Sequence, residues 1–433
     1  MKNCLIIGGG FAGLSAAVYL SEKEFKVTLI EASPKLGGRA YSLFNSEHND
    51  FFDNGQHIMM GCYNATINFL KKINALNKVH FPNSLKINYV EKGGKVYQLN
   101  SSTLFYPINL IYAFMKFSAI NLKSRLEIIK LLTEVLLFDI NSFDDLTVEE
   151  WLKKKNQSDE SIKIFWEILT VGALNTRIDL ASVKIFKEIL KRIFNSSNSS
   201  LILVPATDLT NLYIKDSEKF IKERNGKIKT SERVLKFVIE QDKIIKVITD
   251  KNIYENFDFI ISAVPSYSLK KIKIESSKSI HDFSFIPDLN YSPILNVHLW
   301  LRKNPFTEDF YGLIDSNIHW VFNHNKHITL TTSAADKLIN LKDEELLESL
   351  YSDLERYFPI FKSEFVIDYK IIKEKRATFI PDVSSLSKRK KIKSPFENFF
   401  IAGDWTVINL PSTIESAVLS GYIAAEKIAF SVK

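Results

Sequence analysis

The N-terminal part of the chain combines apolar runs with a glycine-rich turn in a pattern that predicts a strand, a turn, a helix and a second strand. Residues 4–7 form a short apolar run, which is typical of a buried parallel strand. Residues 8–13 form the turn, and the periodicity that follows predicts an amphipathic helix to about Lys23. A second apolar run, residues 25–30, predicts the next strand. This order of elements is that of a βαβ unit that starts a parallel sheet.

The turn between the first strand and the helix carries a dinucleotide-binding pattern. Gly8, Gly10 and Gly13 have the spacing GxGxxG. The first glycine permits the tight turn, the second lets a pyrophosphate approach the backbone, and the third lets the helix pack closely on the strand, so that the helix N-terminus faces the phosphates. Glu31 ends the second strand, at the position where a carboxylate accepts hydrogen bonds from a ribose 2′-hydroxyl and disfavours a 2′-phosphate.

The segment after Glu31 narrows the choice of cofactor. Leu36, Gly37, Gly38 and Arg39 resemble the GGR segment of the amine oxidase and phytoene desaturase superfamily of flavoproteins. In that superfamily the arginine and the glycines line the FAD pyrophosphate and the edge of the flavin. The resemblance therefore implies FAD. The sequence has no second GxGxxG, so we expect an external partner to reduce or reoxidise the flavin.

The C-terminal part of the chain carries a second segment of flavoprotein type. Residues 399–406 predict a final strand that ends in Gly403 and Asp404, and residues 411–417 begin a helix. The resemblance implies that Asp404 binds the ribityl chain and that the helix N-terminus at Thr413 points at the flavin, where its dipole stabilises the anionic reduced ring. Thr413 also suits a purely structural helix cap.

The middle of the chain returns to the nucleotide-binding part. Residues 226–265 predict a β-meander that closes on a core strand. The resemblance implies that the backbone at Val234 lies on the adenine. We predict no metal site. The predicted FAD-binding residues are Gly8, Gly10, Phe11, Ala12, Gly13, Glu31, Ala32, Gly38, Arg39, Val234, Gly403, Asp404, Thr413 and Ile414.

Motifs between these segments resemble one family of the superfamily, the hydroxysqualene dehydroxylases. The motifs are DNGQH at residues 53–57, ALNT at 173–176, SPILNVHLW at 292–300 and EKRATF at 374–379. The resemblance extends over nearly the whole chain and implies reduction of hydroxysqualene to squalene by reduced FAD, in bacterial squalene and hopanoid synthesis. Without the resemblance, DNGQH would be interpreted as a polar turn and ALNT as a helix end.

Three side chains are candidates for the acid that this reaction needs, because the hydroxyl group leaves as water. His57 is the first candidate, since the reference pKa of histidine is about 6.5 and since the resemblance places its segment near the flavin. Arg376 and Lys375 follow. The residues expected in the substrate pocket are Gln56, Asn296, His298 and Thr378.

Residues 291–300 alternate with a period of two, which predicts a strand with Asn296 and His298 on one face. Many amine oxidases of the superfamily hold a lysine near the flavin N5 atom in the corresponding strand, and Asn296 takes that place here. This difference argues against amine oxidation. Two further interpretations stay open: a carotenoid or phytoene desaturase, which moves hydride from a polyene to the flavin, and an isoprenoid carrier that binds no flavin.

Residues 104–140 are unusually apolar. Pro107, Asn109 and Lys116 interrupt the run too often for a transmembrane helix, which needs about 20 apolar residues. The stretch predicts two helices, which either belong to the core or form a surface through which an isoprenoid enters from a bilayer. Residues 388–391 predict a solvated basic turn.

The predicted fold class is α/β, with a discontinuous Rossmann-like FAD-binding domain of the amine oxidase and phytoene desaturase type and an α+β substrate domain. We assign residues 1–80, 205–268 and 392–433 to the first domain, and residues 81–204 and 269–391 to the second. The chain of 433 residues is long enough for two domains, and 45% apolar with 25% charged residues is an ordinary globular composition.

Charge and cysteine content limit the partners and the compartment. The net charge of +7 is spread along the chain without an arginine-rich arm, so we expect no nucleic acid partner and at most mild attraction to an anionic membrane surface. Cys4 and Cys62 cannot form a disulfide framework, which favours a reducing compartment. No signal peptide is visible, and we expect a cytoplasmic protein with peripheral contact to the inner face of the cytoplasmic membrane. The expected partners are a C30 isoprenoid lipid and an external flavin reductant.

Overall fold

A computed structural model describes residues 1–138, 145–276 and 282–432. Its helices are α1 (Phe11–Glu22), α2 (Asn64–Lys72), α3 (Ile108–Lys116), α4 (Leu122–Leu137), α5 (Val148–Lys154), α6 (Asp159–Ser161), α7 (Glu167–Leu174), α8 (Val183–Ile193), α9 (Lys215–Lys222), α10 (Ser266–Leu269), α11 (Asp343–Tyr357), α12 (Val383–Arg389) and α13 (Ile414–Ser431). Its strands are β1 (Asn3–Ile7), β2 (Lys26–Ile30), β3 (Ser42–Asn45), β4 (Asp50–Asp53), β5 (Met59–Met60), β6 (Val79–His80), β7 (Lys86–Val90), β8 (Val96–Asn100), β9 (Ile202–Pro205), β10 (Lys227–Lys229), β11 (Val234–Glu240), β12 (Lys243–Thr249), β13 (Ile253–Tyr254), β14 (Phe259–Ser262), β15 (Lys273–Ser276), β16 (Tyr291–Leu301), β17 (Phe310–Leu313), β18 (Trp320–Asn323), β19 (His327–Ser333), β20 (Val366–Phe379) and β21 (Phe399–Ile401).

A parallel sheet of five strands contains the N-terminal motif. Its order is β10-β2-β1-β14-β21, and every pairing within it is parallel. β1 and β2 differ from the two predicted strands by one residue each. The other three strands come from the middle and the end of the chain, which confirms the predicted class, a discontinuous Rossmann-like α/β fold. The boundaries that we assigned to the two domains stay predictions.

α1 is buried on every side, so the prediction that it is amphipathic was wrong. All residues from Phe11 to Ser21 are buried. The reason is α13, the last helix of the chain, which covers the side that would face solvent in an isolated βαβ unit. At Gly421 of α13, an added Cβ would lie 2.1 Å from the carbonyl oxygen of Ala12. The two helices therefore pack backbone to backbone, which only glycine permits at this point.

The predicted β-meander is confirmed. β11, β12 and β13 pair in an antiparallel way, and β15 pairs in parallel with β11. The core strand on which the meander closes is β14, which lies beside β1 in the parallel sheet.

The second part of the structure mixes strands and helices, as the predicted α+β class requires. A sheet of seven strands has the order β20-β16-β19-β18-β17-β7-β8. α11 packs on it through Leu346, Leu350 and Leu354. The helices from α3 to α8 surround a separate apolar core that includes Trp151 and Trp166.

The apolar stretch of residues 104–140 forms the two predicted helices, α3 and α4. Its last two residues, 139 and 140, lie outside the described residues. In the ranges that the structure describes, no helix has both the length and the apolar character needed to cross a bilayer. Cys4 and Cys62 are both buried free thiols.

Candidate active site

The loop between β1 and α1 has the shape that suits a bound pyrophosphate. Gly8 has φ = +104°, which L side chains rarely adopt. An added Cβ at Gly13 would lie 1.8 Å from the Gly8 carbonyl oxygen, so only glycine lets the helix start this close to the strand. The turn at Gly38 packs on Gly10, because a Cβ added at Gly38 would lie 3.2 Å from the Gly10 Cα. Among the described residues no side chain caps α1, so the N–H groups of its first turn are available to an anion.

Phe11 and Ala12 form the first turn of α1, and both side chains are buried. The Phe11 ring stacks on Tyr213 with the ring centroids 3.7 Å apart. The Tyr213 hydroxyl donates a hydrogen bond to the carbonyl oxygen of Ala40 at 2.7 Å. Because Ala40 follows Arg39, this contact fixes the glycine loop relative to the second predicted cofactor segment.

Glu31 lies at the carboxyl end of β2, as expected for a ribose-binding carboxylate. One of its carboxylate oxygens accepts a hydrogen bond from the Gly9 N–H, and the other accepts one from the Ser33 N–H, each at 2.7 Å. Ala32, between these residues, is exposed. The carboxylate is thereby oriented toward the glycine loop.

Val234 begins β11 and lies close to this edge of the parallel sheet. The Glu232 N–H donates to the Glu31 carbonyl oxygen, and the Ser231 N–H donates to the Ser33 carbonyl oxygen, both at 2.9 Å. The structure therefore brings the residues that we assigned to the adenosine half of FAD to one place.

Arg39 joins the N-terminal and the C-terminal cofactor segments. One guanidinium nitrogen lies 2.7 Å from a carboxylate oxygen of Asp404, and another donates to the Ala377 carbonyl oxygen at 2.8 Å. The Gly37 N–H donates to the Gly9 carbonyl oxygen at 2.9 Å, which holds the turn before Arg39 against the glycine loop. Three motifs that are far apart in the sequence therefore meet at one side chain.

Asp404 is a buried carboxylate that the site keeps ionised. Burial alone raises the pKa of its carboxyl group, but the Arg39 guanidinium and the Ser412 hydroxyl, which donates to it, hold that pKa below its usual value. Gly403, before it, has φ = +136°, so the chain turns sharply after β21. The turn directs the Asp404 carboxylate toward Arg39.

Thr413 is the N-cap of α13, as its residue type and position suggest. Its hydroxyl accepts a hydrogen bond from the Ser416 N–H at 3.2 Å, and the Ser416 hydroxyl accepts one from the Thr413 N–H at 3.0 Å. The helix begins at Ile414. The contact of Thr413 and Ile414 with a flavin stays a prediction.

Arg389 was missed by the sequence analysis, and the prediction of a solvated basic turn was wrong for it. Its side chain is buried, and it donates hydrogen bonds to the carbonyl oxygens of Trp405 at 2.8 Å, Leu410 at 3.0 Å and Val407. Burial lowers the pKa of the guanidinium to about 10, although Asp404 opposes the shift. Arg389 therefore supports the loop that leads from Asp404 to α13. No local pattern distinguishes it from the lysines beside it.

The segment that contains Gln56 and His57 lies against β16. An added Cβ at Gly55 would lie 2.8 Å from Nδ2 of Asn296, whose Oδ1 accepts a hydrogen bond from the Thr331 hydroxyl at 2.8 Å. Nδ1 of His57 donates to the Gly55 carbonyl oxygen at 2.6 Å. Burial lowers the pKa of His57, which favours the neutral imidazole, although backbone hydrogen bonds to Gly55 and Arg39 oppose the shift. Gln56, like His57, is half-buried.

The predicted acids Lys375 and Arg376 are exposed on β20. The Arg376 guanidinium lies 4.6 Å from the centroid of the Tyr267 ring. Thr378 is buried, and its hydroxyl accepts a hydrogen bond from Nδ2 of Asn175 at 2.8 Å. Asn175 ends α7 with a left-handed conformation, so the predicted helix end in the ALNT motif is confirmed. Its role in holding β20 was not foreseen.

Asn296 and His298 share one face of β16, as predicted. Both are buried, and Nδ1 of His298 lies 2.9 Å from the Thr329 hydroxyl. The His298 ring packs against Phe52 and His327, with centroids 4.8 and 5.6 Å away. His298 is thus enclosed by aromatic rings, and its place in a substrate pocket stays a prediction.

Comparison with known proteins agrees with the fold and with the cofactor. The model of the flavin-containing amine oxidoreductase family matches residues 11–429. The hydroxysqualene dehydroxylase of Zymomonas mobilis is 25% identical over 429 residues, which cover 97% of each chain. The 15-cis-phytoene desaturase of Solanum lycopersicum is 24% identical over 453 residues, which cover 98% of this chain and 77% of that protein. The structure of an oxidoreductase from Methanosarcina mazei has a TM-score of 0.76 at 19% identity, over 98% of this chain and 100% of that one.

These comparisons and the geometry of the site agree on the cofactor. The uncapped N-terminus of α1, the carboxylate of Glu31 at a strand end and the Arg39–Asp404 pair are suited to the phosphates and hydroxyl groups of a dinucleotide. The family match extends over almost the whole chain. The chain belongs to the flavin-containing amine oxidoreductase family, and it is an FAD-dependent oxidoreductase.

Proposed function

We propose that this oxidoreductase is a hydroxysqualene dehydroxylase, which reduces hydroxysqualene to squalene in squalene and hopanoid biosynthesis. The observation that carries the proposal is the likeness to the hydroxysqualene dehydroxylase of Zymomonas mobilis over 97% of both chains. The motifs DNGQH, ALNT and EKRATF support it further, because DNGQH lies against Asn296 at Gly55 and ALNT contacts EKRATF through the hydrogen bond from Asn175 to Thr378.

The reaction replaces a carbon–oxygen bond by a carbon–hydrogen bond. Reduced FAD, when bound, supplies the hydride. The hydroxyl group takes up a proton and leaves as water, so the protein has to provide a proton donor and has to stabilise the allylic cation that forms as the bond breaks. An aromatic ring such as that of Phe52, which packs against the predicted pocket residue His298, suits the second task.

We assign the proton donor first to His57 and then to Arg376 and Lys375. His57 lies in the segment that contacts Asn296, and a neighbouring negative charge would oppose the effect of burial, which lowers its pKa. The test is the turnover of hydroxysqualene by a His57→Ala variant. Full turnover by this variant would exclude His57 as the acid.

A carotenoid or phytoene desaturase is the alternative, because phytoene desaturases match 98% of the chain at nearly the same identity. Residues that bind FAD do not set the direction of hydride transfer. Amine oxidation is disfavoured by Asn296, an uncharged and buried side chain in the strand position where many amine oxidases carry a lysine. A carrier without flavin is disfavoured by the membership in an oxidoreductase family.

We further propose that the partners are a C30 isoprenoid lipid and an external flavin reductant, and that the protein is cytoplasmic with peripheral contact to a membrane. The likeness to proteins named for hydroxysqualene and phytoene supports an isoprenoid substrate. The lack of a second GxGxxG in the sequence supports a separate reductant.

The experiment that tests the proposed reaction starts from the purified yellow protein. The flavin is reduced with dithionite under anaerobic conditions, hydroxysqualene is added, and the oxidised flavin band is followed while the lipid is extracted. Return of the band together with squalene would support the dehydroxylase. The desaturase would be supported by two results together: hydroxysqualene does not reoxidise the reduced flavin, and the protein with oxidised flavin converts phytoene to a desaturated product.

A further inference from the structure

α3 presents apolar side chains on two opposite faces. Leu110 and Phe114 face the core, whereas Ile108, Ile111, Tyr112 and Met115 are exposed. The exposed residues have the spacing i, i+3, i+4 and i+7, so they form one continuous face of the helix. A helix that is apolar all round is normally covered on both sides, and within the described part of the chain nothing covers this face.

The same apolar surface continues on both sides of α3. Before the helix, the side chain of Phe105 is 71% exposed. After it, Leu122 and Leu126 are exposed one turn apart on α4. The Arg125 guanidinium donates to the Met115 carbonyl oxygen at 2.7 Å, which fixes the start of α4 beside the end of α3. The α3–α4 surface is defined here by Phe105, Ile108, Ile111, Tyr112, Met115, Leu122 and Leu126.

The edge of this surface is positively charged. Lys116, Lys123 and Lys130 lie on or beside it, and none of them pairs with a carboxylate in the described ranges. Lys123 and Lys130 border a shallow depression of about 580 Å³, which Leu122 and Leu126 also line. The acid in the depression, Glu127, is engaged elsewhere, because its carboxylate accepts a hydrogen bond from the Ser158 N–H at 3.0 Å.

We propose that the α3–α4 surface docks the protein on the anionic face of a lipid bilayer. Apolar side chains would enter the acyl region, and the lysines would lie at the level of the anionic headgroups, which is the arrangement of an interfacial helix. Insertion of this kind is peripheral. The inference assigns the peripheral membrane contact proposed above to one surface, and because it does not depend on the reaction, it applies to a dehydroxylase and to a desaturase alike.

A second copy of the chain fits this surface less well than a bilayer. A two-fold dimer presents the same patch from both subunits. The three lysines of one subunit, which pair with no carboxylate in the described ranges, would then lie close to those of the other and repel them. An anionic bilayer offers apolar and negatively charged groups together, which complements both features of the surface.

Flotation of the FAD-loaded protein with vesicles tests the docking. We expect binding to vesicles of phosphatidylcholine and phosphatidylglycerol in equal parts, and much weaker binding to phosphatidylcholine alone. A Phe105→Ser, Ile111→Ser variant should bind at least about tenfold more weakly, since it removes apolar area from the acyl region. A Lys116→Gln, Lys123→Gln, Lys130→Gln variant should lose about fivefold per lysine.

The control variant is Ile253→Ser, Ile360→Ser, which removes two apolar side chains that are 62% and 61% exposed outside the α3–α4 surface. It should bind the vesicles like the wild type, and all variants should retain the flavin spectrum, which verifies folding. Three results would overturn the proposal: no binding to anionic vesicles, binding that the two α3–α4 variants do not weaken, or light scattering that detects a dimer which only the Phe105→Ser, Ile111→Ser variant dissociates. Failure of the dehydroxylase assay would leave the vesicle result unaffected.

Discussion

Replacement of Arg389 by lysine should weaken both the fold and the FAD site, although it keeps the charge. The Arg389 guanidinium donates to three carbonyl oxygens between Trp405 and Leu410, and it lies 4.4 Å from the centroid of the Phe379 ring. A lysine ammonium is not a planar fork, and its single nitrogen replaces the two guanidinium nitrogens that reach these oxygens, so we expect it to keep one of the three hydrogen bonds. Two hydrogen bonds from a charged donor are lost, each with a net value of about 1.5 to 3 kcal/mol.

The expected loss is therefore about 3 to 6 kcal/mol in the free energy of unfolding, against a typical total of about 5 to 15 kcal/mol. Urea unfolding followed by far-UV circular dichroism measures this quantity. Because the loop between Trp405 and Leu410 links Asp404 to α13, the dissociation constant of FAD, from a flavin fluorescence titration, should rise as well.

The control is Lys388→Met, one residue away and exposed, which should change the free energy of unfolding by less than about 0.5 kcal/mol. If Arg389→Lys unfolds at the same urea concentration as the wild type and binds FAD equally well, the argument from the three carbonyl oxygens is refuted.

Three further changes test other parts of the structure. Asp404→Asn removes the charge opposite Arg39, so FAD should bind about tenfold to hundredfold more weakly in a fluorescence titration; an unchanged affinity would remove Asp404 from the cofactor site. Gly421→Ala places a Cβ 2.1 Å from a backbone oxygen of α1, and the unfolding midpoint should fall by the equivalent of about 1 to 3 kcal/mol; a midpoint equal to that of the wild type would contradict the close packing of α1 and α13. Burial lowers the pKa of His319 to about 4 and that of His324 to about 3, below the unfolded value of about 6.5. The unfolded state then binds more protons, so stability should fall as the pH decreases from about 6.5 to 4, and His319→Gln should reduce the fall.

The elements that the sequence predicts correctly are those with a signal in their own local pattern. The run of residues 4–7, the glycine turn and Glu31 fall within one βαβ unit, and each step of that unit has its own signal, so β1, α1 and β2 appear where we expected them. The meander of β11 and β12 is predictable for the same reason, since alternation within each strand indicates its two faces.

The errors concern contacts between distant segments. α1 was expected to have a solvent-facing side, and whether it has one depends on α13, which packs on it at Gly421. Arg389 stands among lysines, and only the fold brings the carbonyl oxygens of residues 405–410 around its guanidinium. Asn175 is recognisable from sequence as a helix end, but not as the residue that holds Thr378. A local pattern carries no information about such partners.

The two proposed reactions differ in whether the protein has to donate or accept a proton. Dehydroxylation consumes a proton at the leaving hydroxyl group, whereas removal of hydride from a polyene requires a group that accepts a proton. Burial favours the neutral imidazole of His57 by lowering its pKa, whereas backbone hydrogen bonds to Gly55 and Arg39 favour the protonated form. A protonated His57 would serve the proposed dehydroxylation and a neutral one would serve desaturation, so a negative charge near the ring would favour the first reaction. The proposed acid and the proposed direction of hydride transfer therefore depend on the same proton, and the His57→Ala variant tests both.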